Sequence, residues 1–140
     1  LEKTFLRPVS AEHGAGAAGG LGAGLAACGG RLRPGAQVFA ELIGLPRDLE
    51  GARLVLTGEG RADAQTLRGK APLEVARLAS RAGVPVALLA GCLGPGAELL
   101  AQHGVDMLVS LGGDPAKPDP LQSEQQLAEA ASRVIGEGRS

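Results

Sequence analysis

A chain of 140 residues, 44% of them hydrophobic, is long enough for one domain with a real core, and its formal charge of −1 gives no electrostatic case for nucleic acid. Two Phe and no Trp or Tyr leave no stacking platform for single strands, so Leu, Val and Ala must build the interior, and 23 Gly imply tight turns and close backbone approaches. Cys28 and Cys92 form no CxxC pattern and read as free thiols of a reducing compartment. No signal peptide or membrane-length apolar run is evident, so a cytoplasmic, non-membrane protein is expected. The chain starts at Leu1 rather than Met, which is compatible with a fragment or a removed leader.

Residues 1–13 carry no clear period, and Pro8 argues against a central strand. The next stretch, His13 to Cys28, satisfies G-x-G-x-x-G at Gly14, Gly16 and Gly19, the string that lets a pyrophosphate approach a helix N-terminus. No convincing strand precedes it, and Glu41, the next candidate acidic residue, falls in a helical pattern. The expected form is a glycine loop running into a small-residue helix from about Leu21 to Cys28, closed by Gly29-Gly30; a helix whose glycines only permit close packing is the alternative. Pro34 opens a second helix with Val38, Phe39, Leu42 and Ile43 on one face and Gly44 as its stop. Residues 46–51 read as a polar connection and a domain boundary.

Beyond that connection the pattern is regular. Strands are predicted over 53–57, 84–90 and 106–111, with helices over 73–82, stopped by Gly83, and 95–103, stopped by Gly104. In the last helix Ser123 and Gln126 form a capping-box pair, and Leu127, Ala130, Ala131, Val134 and Ile135 repeat on one face. Three parallel strands make a thin sheet, so residues 50–140 look like half of a doubly wound domain whose other strands come from elsewhere. The fold expected is α/β: a three-layer, parallel-sheet half-domain of flavodoxin or Rossmann type, preceded over residues 1–49 by a Gly-rich helical segment.

Candidate chemistry concentrates after the first strand, in Gly58-Glu59-Gly60-Arg61-Ala62-Asp63-Ala64-Gln65-Thr66-Leu67-Arg68-Gly69-Lys70. Ligands of open α/β sheets sit where such loops emerge. Gly58, Gly60 and Gly69 allow positive φ and close approach, Arg61, Arg68 and Lys70 offer donors to phosphate or carboxylate, and Glu59 and Asp63 could hold a metal or accept a proton. Plainer readings exist: Arg61 paired with Asp63 on a solvated surface, and Lys70 an ordinary lysine near a helix start. A Walker A loop fails twice, because Ala71 follows Gly69-Lys70 and Ala64 stands five residues before Gly69. The strand ends at Gly91-Cys92-Leu93-Gly94 and at Gly112 to Pro120 share the same rim by right-handed crossover. Asp114 and Asp119 in the latter suit simple turn chemistry.

The stretch LVLTGEGRADAQTLRGKAPLEVARLASRAGVPVALLAG, with GAGAAGGLGAGLAA upstream in register, resembles the type-1 glycerate kinases, and the likeness covers their C-terminal part only. The resemblance implies transfer of the γ-phosphoryl group of ATP to a hydroxyl of D-glycerate with Mg2+, and an α/β domain completed by an N-terminal segment bearing a DSFKG-like motif that this sequence lacks. Under it, Glu59, Arg61, Asp63 and Lys70 become candidate catalytic residues: Arg61 and Lys70 for phosphate or carboxylate, Glu59 and Asp63 for metal or polar orientation. Gly14, Gly16, Gly19, Gly20, Gly58, Gly60, Gln65, Thr66 and Gly69 become candidate substrate- or phosphate-binding positions. The expected partners are D-glycerate and a missing N-terminal half or a second copy, without nucleic acid or membrane. A nucleotide- or dinucleotide-binding domain of an oxidoreductase and a non-catalytic remnant of the kinase fold are the rival readings.

Overall fold

The computed structural model describes residues 9, 11–114 and 120–137. Its contacts divide the chain into two compact units, Leu1–Phe39 and Ala40–Ser140.

In the first unit, helix α1 is assigned over Ala17–Ala27, but Ala18, Gly19 and Gly20 all have positive φ, so regular helix begins at Leu21 as the glycine run suggested. Ala18 at φ 50 has a Cβ in the left-handed region, a conformation that costs about 1–2 kcal/mol. Gly22 is the position in this run where no side chain fits: a Cβ there would collide with the carbonyl oxygen of Gly14. The helix ends as expected on Gly29-Gly30. Gly29 N–H donates to the Ala26 carbonyl (3.0 Å) and Gly30 N–H to that of Leu25 (2.8 Å), the paired closure of a Schellman motif. Helix α2, Gly35–Leu42, spans the division between the units. Of its predicted buried face Val38 is half-buried, while Phe39, Leu42 and Ile43 are exposed, and Ala40 is the buried residue.

The second unit holds a parallel sheet in the order β1-β2-β3, with β1 at Val55–Ala62, β2 at Val86–Leu93 and β3 at Met107–Ser110. Alternation along β2 sends Val86, Leu88 and Ala90 to one core and Ala87 and Leu89 to another, which is why this strand is apolar without a break. Helix α4, Ala71–Arg81, and a 3₁₀ helix over Ala97–His103 cover the first face through Ala76, Ala79 and Leu100. Helix α5, Pro120–Glu137, covers the second through Ala130 and Val134. The α/β, three-layer expectation holds.

Several local expectations change. The polar connection contains a helical turn, α3 at Leu45–Asp48, and Leu49 after it is buried in the first core: one apolar side chain anchors a segment whose composition otherwise reads as linker. Helix α5 begins at Pro120, so Ser123 lies inside the helix rather than at its cap; a proline's fixed φ suits a first helical position. The helix predicted over 95–103 is a 3₁₀ helix over Ala97–His103, opened by Gly96 in the left-handed region. Helix α4 stops where predicted, with Gly83 at φ 71 and Val84 N–H bonded back to the Ala79 carbonyl (2.9 Å) while its side chain enters the core.

Candidate functional site

The largest correction concerns β1, which continues five residues beyond Thr57. Its partner β2 also runs on, and Glu59 pairs with Ala90, Arg61 with Cys92 and Ala62 with Leu93. Gly58 and Gly60 are therefore strand residues, and neither has positive φ. Close approach explains Gly58 and Gly91 but not Gly60, whose Cβ would meet nothing within 4 Å. A Cβ on Gly58 would sit 2.9 Å from the Leu89 carbonyl oxygen, and one on Gly91 would sit 2.6 Å from that of Gly60. Gly113 N–H donates to the Gly91 carbonyl (2.8 Å), so the ends of all three strands meet across glycine backbone, on the rim expected from the crossovers.

The loop after β1 is fixed by its own polar groups. Asp63 Oδ1 accepts the Gln65 N–H (2.8 Å), and Thr66 N–H donates to the Asp63 carbonyl (2.9 Å), forming an Asx-type turn that leads into a 3₁₀ turn over Thr66–Arg68. Gly69 at φ 89 then turns the chain into α4, with Lys70 at the N-cap position. The second strand-end loop clamps the first: Gly94 N–H donates to the Ala62 carbonyl (2.8 Å) and Ala64 N–H to that of Pro95 (3.1 Å).

Two charged groups of residues result. In one, Glu59 accepts from the Thr66 hydroxyl at Oε1 (2.6 Å) and from Lys70 Nζ at Oε2 (2.9 Å). Thr66 is fully buried and the Glu59 side chain only 12% exposed, whereas that of Lys70 is 42% exposed. In the other, Arg61 Nε lies 3.2 Å from Asp63 Oδ2, on a half-exposed guanidinium. The surface ion pair that was the plainer reading of Arg61 and Asp63 thus forms. Beneath it lies Gly94, whose Cβ would be 2.9 Å from an Arg61 terminal nitrogen and 3.0 Å from Asp63 Cβ. Sequence reading named that loop without singling out Gly91, Gly94 or Gly96; the spacing of these three glycines opposite β1 was the available signal.

Glu59, Arg61, Asp63, Thr66 and Lys70 are therefore brought together, while Gln65 contributes its backbone N–H to the turn. Thr66 is turned inward, bonded to Glu59 and to Asp63 N–H (3.2 Å). Gly14, Gly16, Gly19 and Gly20 belong to the first unit. There Gly14 lines an open groove of about 400 Å3 with His13, Leu21, Leu25, Leu32 and Pro34, and Gly16, Gly19 and Gly20 fall outside its lining.

The described residues do not fit a protein-built metal site. None of their His, Cys, Asp and Glu side chains form a group of three or more able to hold an ion, and Glu59 and Asp63 are each already engaged by a cation and a hydrogen-bond donor. Among these residues no helix is long and apolar enough to cross a membrane.

A parallel sheet covered on both faces, with charged side chains gathered where its first strand ends, places the protein in the open-sheet α/β class, whose ligand sites lie at that edge. Its family follows from comparison with known proteins. Residues 1–137 match the Glycerate kinase family, and the chain belongs to that family. It is 41% identical over 137 residues to a glycerate kinase of Halalkalibacterium halodurans, covering 96% of this chain and 36% of that relative. It is 40% identical over 112 residues to glycerate 2-kinase of Escherichia coli, covering 79% of this chain and 29% of the relative. A crystal structure from Salmonella typhimurium LT2, provisionally assigned as glycerate kinase 2, is similar with a TM-score of 0.65 at 35% identity, covering 97% of this chain and 37% of that one. The chain thus spans about a third of the length of the curated relatives it matches.

Proposed function

We propose that this chain supplies one wall of a glycerate kinase that transfers the γ-phosphoryl group of ATP to a hydroxyl of D-glycerate in the cytoplasm. Membership of the Glycerate kinase family carries the reading. The cations at the β1 edge support it, since phosphoryl transfer is accelerated chiefly by positioning and by charge held where the phosphates sit. Arg61 is the more available of the two, its half-exposed side chain tied among the described residues to Asp63. Lys70 reaches the rim from a buried anchor. Gly58, Gly60 and Gly69 keep the floor free of side chains, and in the first unit, taken by itself, Gly14 is proposed as a binding position in the groove it lines. Mg2+ enters the proposal only as the companion of ATP, because Glu59 and Asp63 are both engaged.

Phosphoryl transfer also needs a closed cleft around two substrates. The edge strands β1 and β3 each lack a second neighbour among the described residues, so we propose that further polypeptide or a second copy completes the site. The test is ADP release with D-glycerate, ATP and Mg2+, run on the chain alone and on the chain joined to the N-terminal part of a relative. Turnover in the joined form supports the reading. Inactivity of a demonstrably folded joined form refutes it in favour of a non-catalytic remnant, and turnover by the chain alone, shown to be a monomer, would refute the need for a second wall.

A further inference from the structure

The hydroxyl of Thr66 is fully buried, yet it sits between two groups that reach the site edge. Its position is set by the backbone, since Thr66 N–H is bonded to the Asp63 carbonyl and a β-branched side chain is stiff at χ1. Its oxygen accepts the Asp63 N–H at 3.2 Å, which commits its only proton to Glu59 Oε1 at 2.6 Å. That bond fixes the rotation of the Glu59 carboxylate and leaves Oε2 to receive Lys70 Nζ at 2.9 Å. Lysine is a point charge on a flexible four-carbon stem, and among the described residues Glu59 is the partner that holds the Lys70 ammonium in place.

We propose that Thr66 is a positioning residue that acts through Glu59 to hold the Lys70 ammonium at the carboxyl edge of the sheet, ready for a ligand phosphate. Glu59 is then the tether of the cation rather than a metal ligand or a base. The tether is independent of any ligand; that its load is a phosphate-binding cation rests on the function proposed above.

Two measurements on the full chain separate these parts. In crystal structures, Thr66→Val should free Glu59 to turn and leave Lys70 Nζ beyond the ion-pair limit of about 4 Å from it, while Thr66→Ser, which keeps the hydroxyl, restores the pair. In calorimetric titrations with ATP, Thr66→Val should weaken binding by about fivefold to tenfold, Thr66→Ser should recover it, and Thr66→Val should add no loss in a Lys70→Ala background. An unmoved Glu59–Lys70 pair in Thr66→Val, additive losses in the double variant, or a Thr66→Ser as damaging as Thr66→Val would each overturn the proposal. If Thr66→Val does not fold, Glu59→Gln replaces it: it preserves the acceptor for Thr66, removes the charge facing Lys70, and must likewise be non-additive with Lys70→Ala. A lost pair in Thr66→Val together with wild-type protein that binds no ATP, either alone or joined to the N-terminal part of a relative, would uphold the tether and refute the phosphate-binding reading alone.

Discussion

Gly91→Ala is the sharpest probe of how the site floor is built. The added methyl carbon would lie 2.6 Å from the Gly60 carbonyl oxygen, at least about 0.4 Å inside the closest approach that real Cβ atoms show. The obstacle is backbone, and it is held on both sides, because Glu59 pairs with Ala90 and Arg61 with Cys92. A side-chain rotation cannot relieve the contact, so the ends of β1 and β2 must separate or the substitution must be carried as strain. Overpacking of this kind costs about 1–3 kcal/mol. For a unit of this size the melting temperature should fall by roughly 4–8 °C per kcal/mol. Urea unfolding followed by circular dichroism measures the loss as a lower midpoint at unchanged slope. Gly136→Ala is the internal control: it lies in α5 with nothing within 4 Å of its Cβ, and should gain up to about 1 kcal/mol by favouring helix. The same chemical change should therefore have opposite signs at two places. Wild-type stability of Gly91→Ala would refute the close approach of β1 and β2.

Arg61→Ala and Lys70→Ala should each lower kcat/KM of the complete enzyme at least about tenfold, equivalent to about 1.4 kcal/mol, and unchanged kinetics in both would remove the β1 edge from the site. Each change also strips the cation from a mostly buried carboxylate, Asp63 at 17% and Glu59 at 12% side-chain exposure, so each should cost about 1–3 kcal/mol by denaturant titration. Leu49→Ala should destabilise the second unit by about 2–5 kcal/mol, the cost of a buried leucine, whereas a true linker residue would tolerate it. Gly83→Ala should cost about 1–2 kcal/mol because the helix stop needs φ near 71, and a melt equal to wild type would refute that geometry.

What was legible in the sequence follows from the range of the forces involved. The stops at Gly29, Gly44, Gly83 and Gly104 were readable because a positive φ is a demand placed on one residue by its neighbours. The unbroken apolar run of β2 was readable because burial on both faces suppresses alternation. The extent of β1 was not. Gly58 and Gly60 look like loop residues until the backbone of β2 arrives beside them, and that pairing joins residues about thirty apart in the chain. Leu49 was hidden for a similar reason: a single leucine among polar neighbours gives no period, and only the core it enters reveals its weight.

The site shows the same division between residue type and arrangement. Sequence identified Glu59, Arg61, Asp63, Thr66 and Lys70 as one group, because polar residues crowded after a buried strand have few structural reasons to be there. It could not say which of them face a ligand and which face each other. The turn made by Asp63 carries Thr66 inward, where its hydroxyl bonds Glu59, and Glu59 in turn pairs with Lys70, so these side chains face each other in the structure. Hydrogen bonds of 2.6 and 2.9 Å across seven and eleven residues of a glycine-bearing loop exist only once that turn has closed. Within the two ion pairs the cations are the more exposed partners, Arg61 at 52% and Lys70 at 42% against 17% for Asp63 and 12% for Glu59, and a cation is what a phosphate- or carboxylate-bearing ligand requires.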